Sequence, residues 1–262
     1  MKTHELITRS ILALFLSATL LSGNAFYSKK DFVKIDKSIL VSRYEVTNKE
    51  YREFLNSIKM AEQIENYTKS LYDSGQWIKK FKESYSEPLV NLYHWHPAYD
   101  KYPVVNITNE AVNYYCDWLT KKYNSSVKRE YKKVIFRLPT ELEWSRFAGS
   151  VSNSKLPWTG NSPYATDNKT ILANIKIKDI KKGQDDYKFD GFIYTSEVGK
   201  FKENTLGIFD VIGNVSELTQ NGIQKGGNWD SYPEDCTIEK TQNYDLPDPR
   251  VGFRVVMEIL EE

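Results

Sequence analysis

The nine residues Phe136-Arg137-Leu138-Pro139-Thr140-Glu141-Leu142-Glu143-Trp144 constrain this chain more than any other stretch. Pro139 cannot donate to a ladder and so helps to end a strand, while Thr140 and Glu143 have the spacing of a capping box and start a helix. A second strand-to-helix junction is expected where Leu40–Val46 leads into Thr47-Asn48-Lys49-Glu50, with Thr47 as N-cap and Glu50 three residues on. Its helix should place Tyr51, Phe54, Leu55 and Ile58 on one side. Another helix is expected over Glu110–Tyr123, capped by Thr108 or Asn109, with Val112, Tyr115, Cys116 and Leu119 on one buried face. Cys116 is therefore read as a core residue, because free cysteine is among the most buried residue types.

Between these junctions the chain is rich in large rings. Aromatic residues make up 14% of it, with six Trp and eighteen Tyr, and polar residues and turn formers are spread throughout. Such a composition suits a globular domain in which large side chains pack between short elements and much irregular structure. The first 25 residues read as a removable export signal, with Lys2 and Arg9 ahead of a largely apolar Ile11–Leu21 and small residues at Gly23-Asn24-Ala25. The apolar run is shorter than the ~20 residues of a spanning helix. An exported product in the periplasm or outside the cell is expected, not an integral membrane protein after signal removal. Loss of that segment takes two basic residues and one acidic residue from totals of 36 and 35, so residues 26–262 are close to neutral. That balance lacks the basic surplus of a nucleic-acid binder.

The loop Lys225-Gly226-Gly227-Asn228-Trp229-Asp230-Ser231-Tyr232-Pro233-Glu234-Asp235-Cys236 resembles the active-site loop of the formylglycine-generating enzymes, also called sulfatase-modifying factors. The stretch Tyr44–Phe54, the strand-proline-helix stretch above and Val251-Gly252-Phe253-Arg254-Val255-Val256 resemble that family's opening motif, its strongest signature and its final strand, in the correct order. The resemblance implies a loop-rich α+β fold related to C-type lectins over residues 26–262, with an insertion around residues 60–99. It implies, further, two cysteines five positions apart that bind Cu(I) and oxidise a substrate cysteine to formylglycine. Here the first of those positions is Ser231 and only the second, Cys236, is a cysteine. Cu(I) prefers soft sulfur, and a serine hydroxyl is hard and stays protonated near neutrality, so copper is not expected. Cys236 lies in a polar run that suggests an accessible thiol, and its acidic neighbours should raise the thiol pKa. The helical setting of Cys116 argues against a disulfide between the two cysteines.

The same resemblance implies two calcium sites. Asn174, Ile175, Asp190 and Phe192 match the first and Asp210, Gly213, Val215 and Glu217 match the second, with backbone carbonyls supplying the ligands at Ile175, Phe192, Gly213 and Val215. All-oxygen ligation on irregular backbone suits a hard ion such as Ca²⁺. His94 and His96 could invite a transition metal, but with no third histidine in residues 26–262 the ligand set is incomplete, and structural or surface roles are expected for both. The segment His94–Asp100 followed by Tyr102-Pro103-Val104-Val105 is similar to family members found in gliding-motility and type IX secretion machinery. The expected function is an exported, calcium-stabilised, non-catalytic module that binds a protein or another envelope component. The alternative is a copper-dependent formylglycine-generating oxidase acting on a cysteine of a sulfatase-type protein, with Cys236 as the sole candidate thiol.

Overall fold

The computed structural model describes residues 29–82, 87–149, 155–158, 162–165, 170–179, 183–186 and 189–262. The expected export signal at residues 1–25 lies outside the described residues. A short 3-10 turn leads into β1 (Phe32–Lys34) and β2 (Ile39–Ser42), and α1 (Asn48–Met60) follows. Thr47 caps α1 by the expected reciprocal box with Glu50, and Tyr51, Phe54, Leu55 and Ile58 are all buried. The strand is shorter than the sequence suggests: it ends at Ser42, whose hydroxyl donates to the Tyr44 carbonyl at 2.7 Å and turns the chain.

From α1 the chain passes through α2 (Ile64–Lys69), α3 (Gln76–Lys80) and α4 (Glu87–Leu92) before α5 (Asn109–Ser125). Thr108 caps α5, and Val112, Tyr115, Cys116 and Leu119 form its buried face. β3 (Lys133–Arg137) then gives way, through Pro139 and a complete Thr140–Glu143 capping box, to α6 (Glu141–Ala148). Smaller strands follow: β4 (Ile177–Asp179), β5 (Gln184–Asp186), β6 (Ser216–Leu218), β7 (Ile223–Lys225), β8 (Thr241–Asn243), β9 (Val251–Gly252) and β10 (Val256–Glu261).

Two four-stranded sheets organise these pieces. The first has the order β1-β2-β10-β3 and is antiparallel throughout, and the second has the order β8-β7-β6-β9 with β6 and β9 parallel. One core cluster packs α1 and α5 against the first sheet around Phe54, Tyr115, Phe136 and Phe253. A second gathers Trp144, Phe147, Ile208 and Cys236 beside Val41 and Val256. The two cysteines are free and lie in different clusters.

The single terminal strand expected over Val251–Val256 is two strands in two sheets. β9 pairs with β6, then Phe253–Val255 crosses over and β10 enters the first sheet. At the crossover Arg254 is fully buried with its side chain on Glu217, while the Phe253 and Val255 carbonyls accept from the Val46 and Ser42 amides at 2.9 and 3.0 Å. Among the described residues no helix is long and apolar enough to cross a membrane.

Candidate functional site

Gly226 and Gly227 open the loop that carries Ser231 and Cys236. Both adopt left-handed backbone, at φ 88° and 68°. A Cβ on Gly227 would stand 2.3 Å from the Cys236 sulfur, so the glycine is what allows the loop to close over that thiol. Cys236 is wholly buried, which corrects the expectation of an accessible thiol: the residues around it in sequence are polar, but its side chain points into the cluster of Trp144 and Ile238. Burial pushes the thiol up to about 12, against hydrogen bonds from the Asn228 amide and the Ser231 hydroxyl, with Asp235 and Glu234 adding to the rise. The acidic neighbours thus act in the expected direction but are secondary to desolvation. The Ser231 hydroxyl also accepts from the Asn228 amide at 3.2 Å. One buried protonated thiol beside one hydroxyl is not a donor set for a soft Cu(I) ion.

Above Ser231 lies a cavity of about 280 Å³. Gln224 and Gln242 enter it as register partners on β7 and β8, and Val251 on β9 is an apolar contribution. Its charged residues form a chain. Lys80 at the end of α3 reaches Asp248 at 3.3 Å, Arg250 bridges Asp248 at 2.8 Å and Asp230 at 3.0 Å, and Lys176 lies 3.2 Å from Asp230 and 3.8 Å from Asp185. The Asp185 carboxylate also accepts from the Tyr232 hydroxyl, and Lys176 lies 4.5 Å over the Tyr232 ring. Arg250 and its two carboxylates were not singled out in the sequence; the signal was Asp248-Pro249-Arg250 directly before a buried strand.

Trp229, the aromatic residue of the loop, is buried under the α2–α4 segment. Phe81 and Tyr194 approach its ring at 4.9 and 5.0 Å, and Trp77 stacks at 6.4 Å. The segment between α1 and α5 therefore supplies one wall of the loop's packing as well as Lys80.

The two residue sets that the family resemblance assigns to calcium meet at one place. Asp190 accepts from the backbone amides of Ile175 at 3.0 Å and Phe192 at 2.9 Å, which joins the first set's two loops. The Asn174 amide nitrogen donates to the Tyr194 carbonyl at 2.9 Å, which turns its oxygen away as an acceptor. Asp190 and Phe192 border an open depression of about 560 Å³, and burial raises the Asp190 carboxyl to about 6 in spite of its amide partners. Oxygen donors suit a hard cation, but the contacts at Asp190 are with the N–H groups of Ile175 and Phe192 and not with their carbonyls.

The second set joins the first through Gly213, whose Cβ would lie 2.3 Å from the Asn174 carbonyl, and through the Asn214 amide, which donates to that carbonyl at 2.9 Å. Asp210 accepts from the Gly199 amide, with the Phe201 amide also favouring its carboxylate, and its Oδ1 is buried without a hydrogen-bond partner among the described residues. Burial raises Asp210 to about 6. That orphaned oxygen fits a cation. Glu217 is differently placed: both its oxygens receive Arg254 Nε, at 3.0 and 2.9 Å, and the Trp144 indole donates to it at 2.9 Å. Glu45 completes the group. It accepts from the Asn214 side chain at 2.8 Å, and desolvation, then Asp210 and Glu217, raise its pKa well above the ordinary carboxylate range. Three buried acids thus surround one buried arginine, whose own charge is disfavoured by burial but held by Glu217, Glu45 and Asp210. Arg254 carried a sequence signal, a charge inside an otherwise apolar run, that periodicity alone does not interpret, whereas Glu45 stands among polar neighbours and carried none.

The two histidines diverge. His94 is buried, stacks on Tyr72 at 3.7 Å and contacts Asn48 Oδ1 through Nδ1 at 3.2 Å; burial and Arg52 lower it to about 3, so it stays neutral. His96 is exposed, and its Nδ1 accepts from the Ala98 amide at 3.1 Å to cap a 3-10 turn. Both have the structural or surface places expected of them. Among the described residues no three His, Cys, Asp or Glu side chains gather as a metal-binding group.

Comparison with known proteins supplies the relatives. Residues 20–259 match the family described as the Sulfatase-modifying factor enzyme 1-like domain. The chain is 26% identical over 207 residues to the inactive C-alpha-formylglycine-generating enzyme 2 of Bos taurus, covering 72% of this chain and 61% of that protein. It is 24% identical over 197 residues to the formylglycine-generating enzyme of Mus musculus, covering 68% and 47%. The chain so spans roughly half to three fifths of the length of these relatives. Among solved structures, PvdO from Pseudomonas aeruginosa matches with a TM-score of 0.57 at 20% identity, over 84% of this chain and 80% of that one. CarF matches with a TM-score of 0.52 at 17% identity, over 84% and 86%. At such identities the structural likeness carries the fold alone.

Proposed function

Because the chain belongs to the sulfatase-modifying-factor family, we propose that it is a non-catalytic member of that family, exported and stabilised by calcium, which acts as a binding or envelope-assembly module. The observation that carries this reading is the pairing of the Ser231 hydroxyl with a buried Cys236 thiol pushed up to about 12, where the family's chemistry needs two accessible thiolates. In support, one relative is named an inactive C-alpha-formylglycine-generating enzyme and another a formylglycine-generating enzyme. Export rests on the apolar stretch after Arg9, and a place in gliding or type IX secretion machinery is the more specific form of the envelope role.

Calcium would be held by the side chains of Asn174 and Asp190 with the carbonyls of Ile175 and Phe192, and at the second set by Asp210 with the carbonyls of Gly213 and Val215, Glu217 being shared with Arg254. Bound there, the ion would contribute charge neutralisation and tie loops together, with no part in a reaction. The reading is tested by an anaerobic competition titration in which the protein and a chromophoric Cu(I) chelator share limiting copper. The chelator should keep the metal. Withdrawal of one equivalent by the native protein, lost in Cys236→Ala, would favour instead a copper-dependent oxidase.

A further inference from the structure

We propose that the cavity above Ser231 is a binding site for a neutral, polyhydroxylated ligand, that is, a carbohydrate unit; the assignment rests on the binding-module reading and names its ligand class. Ordinary ligand pockets are mostly apolar with a few polar anchors. This one is the reverse, since Val251 and the Tyr232 ring, which Lys176 overlies, are the apolar parts of a lining otherwise made of amides, hydroxyls, carboxylates and cations. An apolar ligand would therefore bury little surface against it. At about 280 Å³ it lies at the small end of ligand pockets, which run to roughly 1,000 Å³, and suits one ring with its substituents.

The charges decide between ionic and neutral ligands. Asp248 is held between Lys80 and Arg250, and Asp230 between Arg250 and Lys176, while Asp235 pairs with Lys240 at 3.2 Å. An anion would meet Arg250 and Lys176 only beside the carboxylates of Asp230 and Asp248, whose charge offsets the attraction, and a cation would meet those carboxylates only beside Arg250 and Lys176. Either charged ligand therefore gains little from a site whose charges are already paired. A hydroxyl group meets no such opposition, because it donates to a carboxylate oxygen and accepts from an N–H at once.

The donors and acceptors for this are in place. Arg250 uses Nε, Nη1 and Nη2 once each toward Asp248 and Asp230, so two of its five N–H directions remain. Gln224 spends its amide nitrogen on the Asn243 carbonyl at 3.0 Å, which leaves its oxygen as an acceptor. Gln242, exposed and opposite Gln224 in the ladder, has a side-chain amide without a hydrogen-bond partner among the described residues, which offers both functions. Adjacent planar amide, carboxylate and guanidinium groups can each take a pair of neighbouring hydroxyls.

The test is an NMR titration of the whole protein with N-acetylglucosamine, glucose, galactose and mannose, beside acetate, guanidinium and glycine as charged probes. At least one sugar should give saturable shifts at the Gln224 and Gln242 side-chain amides with a millimolar Kd, and Gln242→Ala should weaken it about tenfold with an unchanged melting temperature. Absence of saturable shifts with all four sugars, or tighter saturable binding of any charged probe, overturns the proposal. Failure here with copper still left to the chelator would reject the ligand class and leave the non-catalytic reading in place. Copper uptake by the native protein would reject that reading itself.

Discussion

Cys236 and Gly227 act as one unit. The sulfur occupies the space where any other residue at position 227 would put its Cβ, and the backbone there is left-handed. Gly227→Ala should therefore destabilise the protein by about 2–4 kcal/mol, the sum of a left-handed alanine and an overpacked site. Cys236→Ala removes the clashing sulfur, so the double variant should lose less than the two single losses added together, a coupling that urea denaturation of all four proteins would measure. Strict additivity would mean that the loop opens to accommodate the methyl. The sequence carried the identity of Ser231 and Cys236 and the missing thiol, but not the burial of Cys236. Polar neighbours describe the loop's outer side; which way a single side chain turns depends on Trp144, Phe147 and Ile208, which are distant in sequence.

Helices were the most legible elements, because caps and apolar spacing are local properties. Thr47–Glu50 and Thr140–Glu143 form the boxes that their spacing predicts, and the buried face of α5 is the one read from Val112, Tyr115, Cys116 and Leu119. Strands were less legible. Val251–Val256 reads as one run, yet it is divided between two sheets at Phe253–Val255, where Arg254 is buried on Glu217, 37 positions earlier. The segment around residues 60–99 was legible only as a piece of chain between two helices. Its role comes from Trp77, wholly buried and ringed by Tyr93, Tyr194 and Trp229. Trp77→Ala should cost about 3–5 kcal/mol, the ordinary loss for a buried tryptophan, and should also broaden or shift the resonances of Trp229 and Asp248. An unchanged loop spectrum would show that the segment does not hold the site's wall.

At the scale of the whole molecule, the two sheets are joined by charge as well as by apolar packing. Arg254 donates to Glu217 on β6 and, at 3.0 Å, to the Ser42 carbonyl on β2, so one guanidinium spans both sheets. With Glu45 held toward its neutral form by burial, Asp210 and Glu217 leave one negative charge beyond that of Arg254, and one Asp210 oxygen lacks a hydrogen-bond partner among the described residues. A divalent cation would offset that excess. Adding calcium to chelator-treated protein at neutral pH should raise the melting temperature, and Asp190→Asn or Asp210→Asn should reduce the rise, since a ligand that binds only the folded state stabilises it by mass action. A melting temperature indifferent to calcium would remove the ion from the account. The central claim is that the scaffold persists while its oxidative chemistry is absent because of Ser231. Mass spectrometry of a Cys-x-Pro-x-Arg peptide, incubated with Cu(I), calcium and oxygen and either the native protein or Ser231→Cys, tests it most directly. The account predicts an unchanged peptide thiol with the native protein, whatever the variant does; formylglycine formed by the native protein would contradict it.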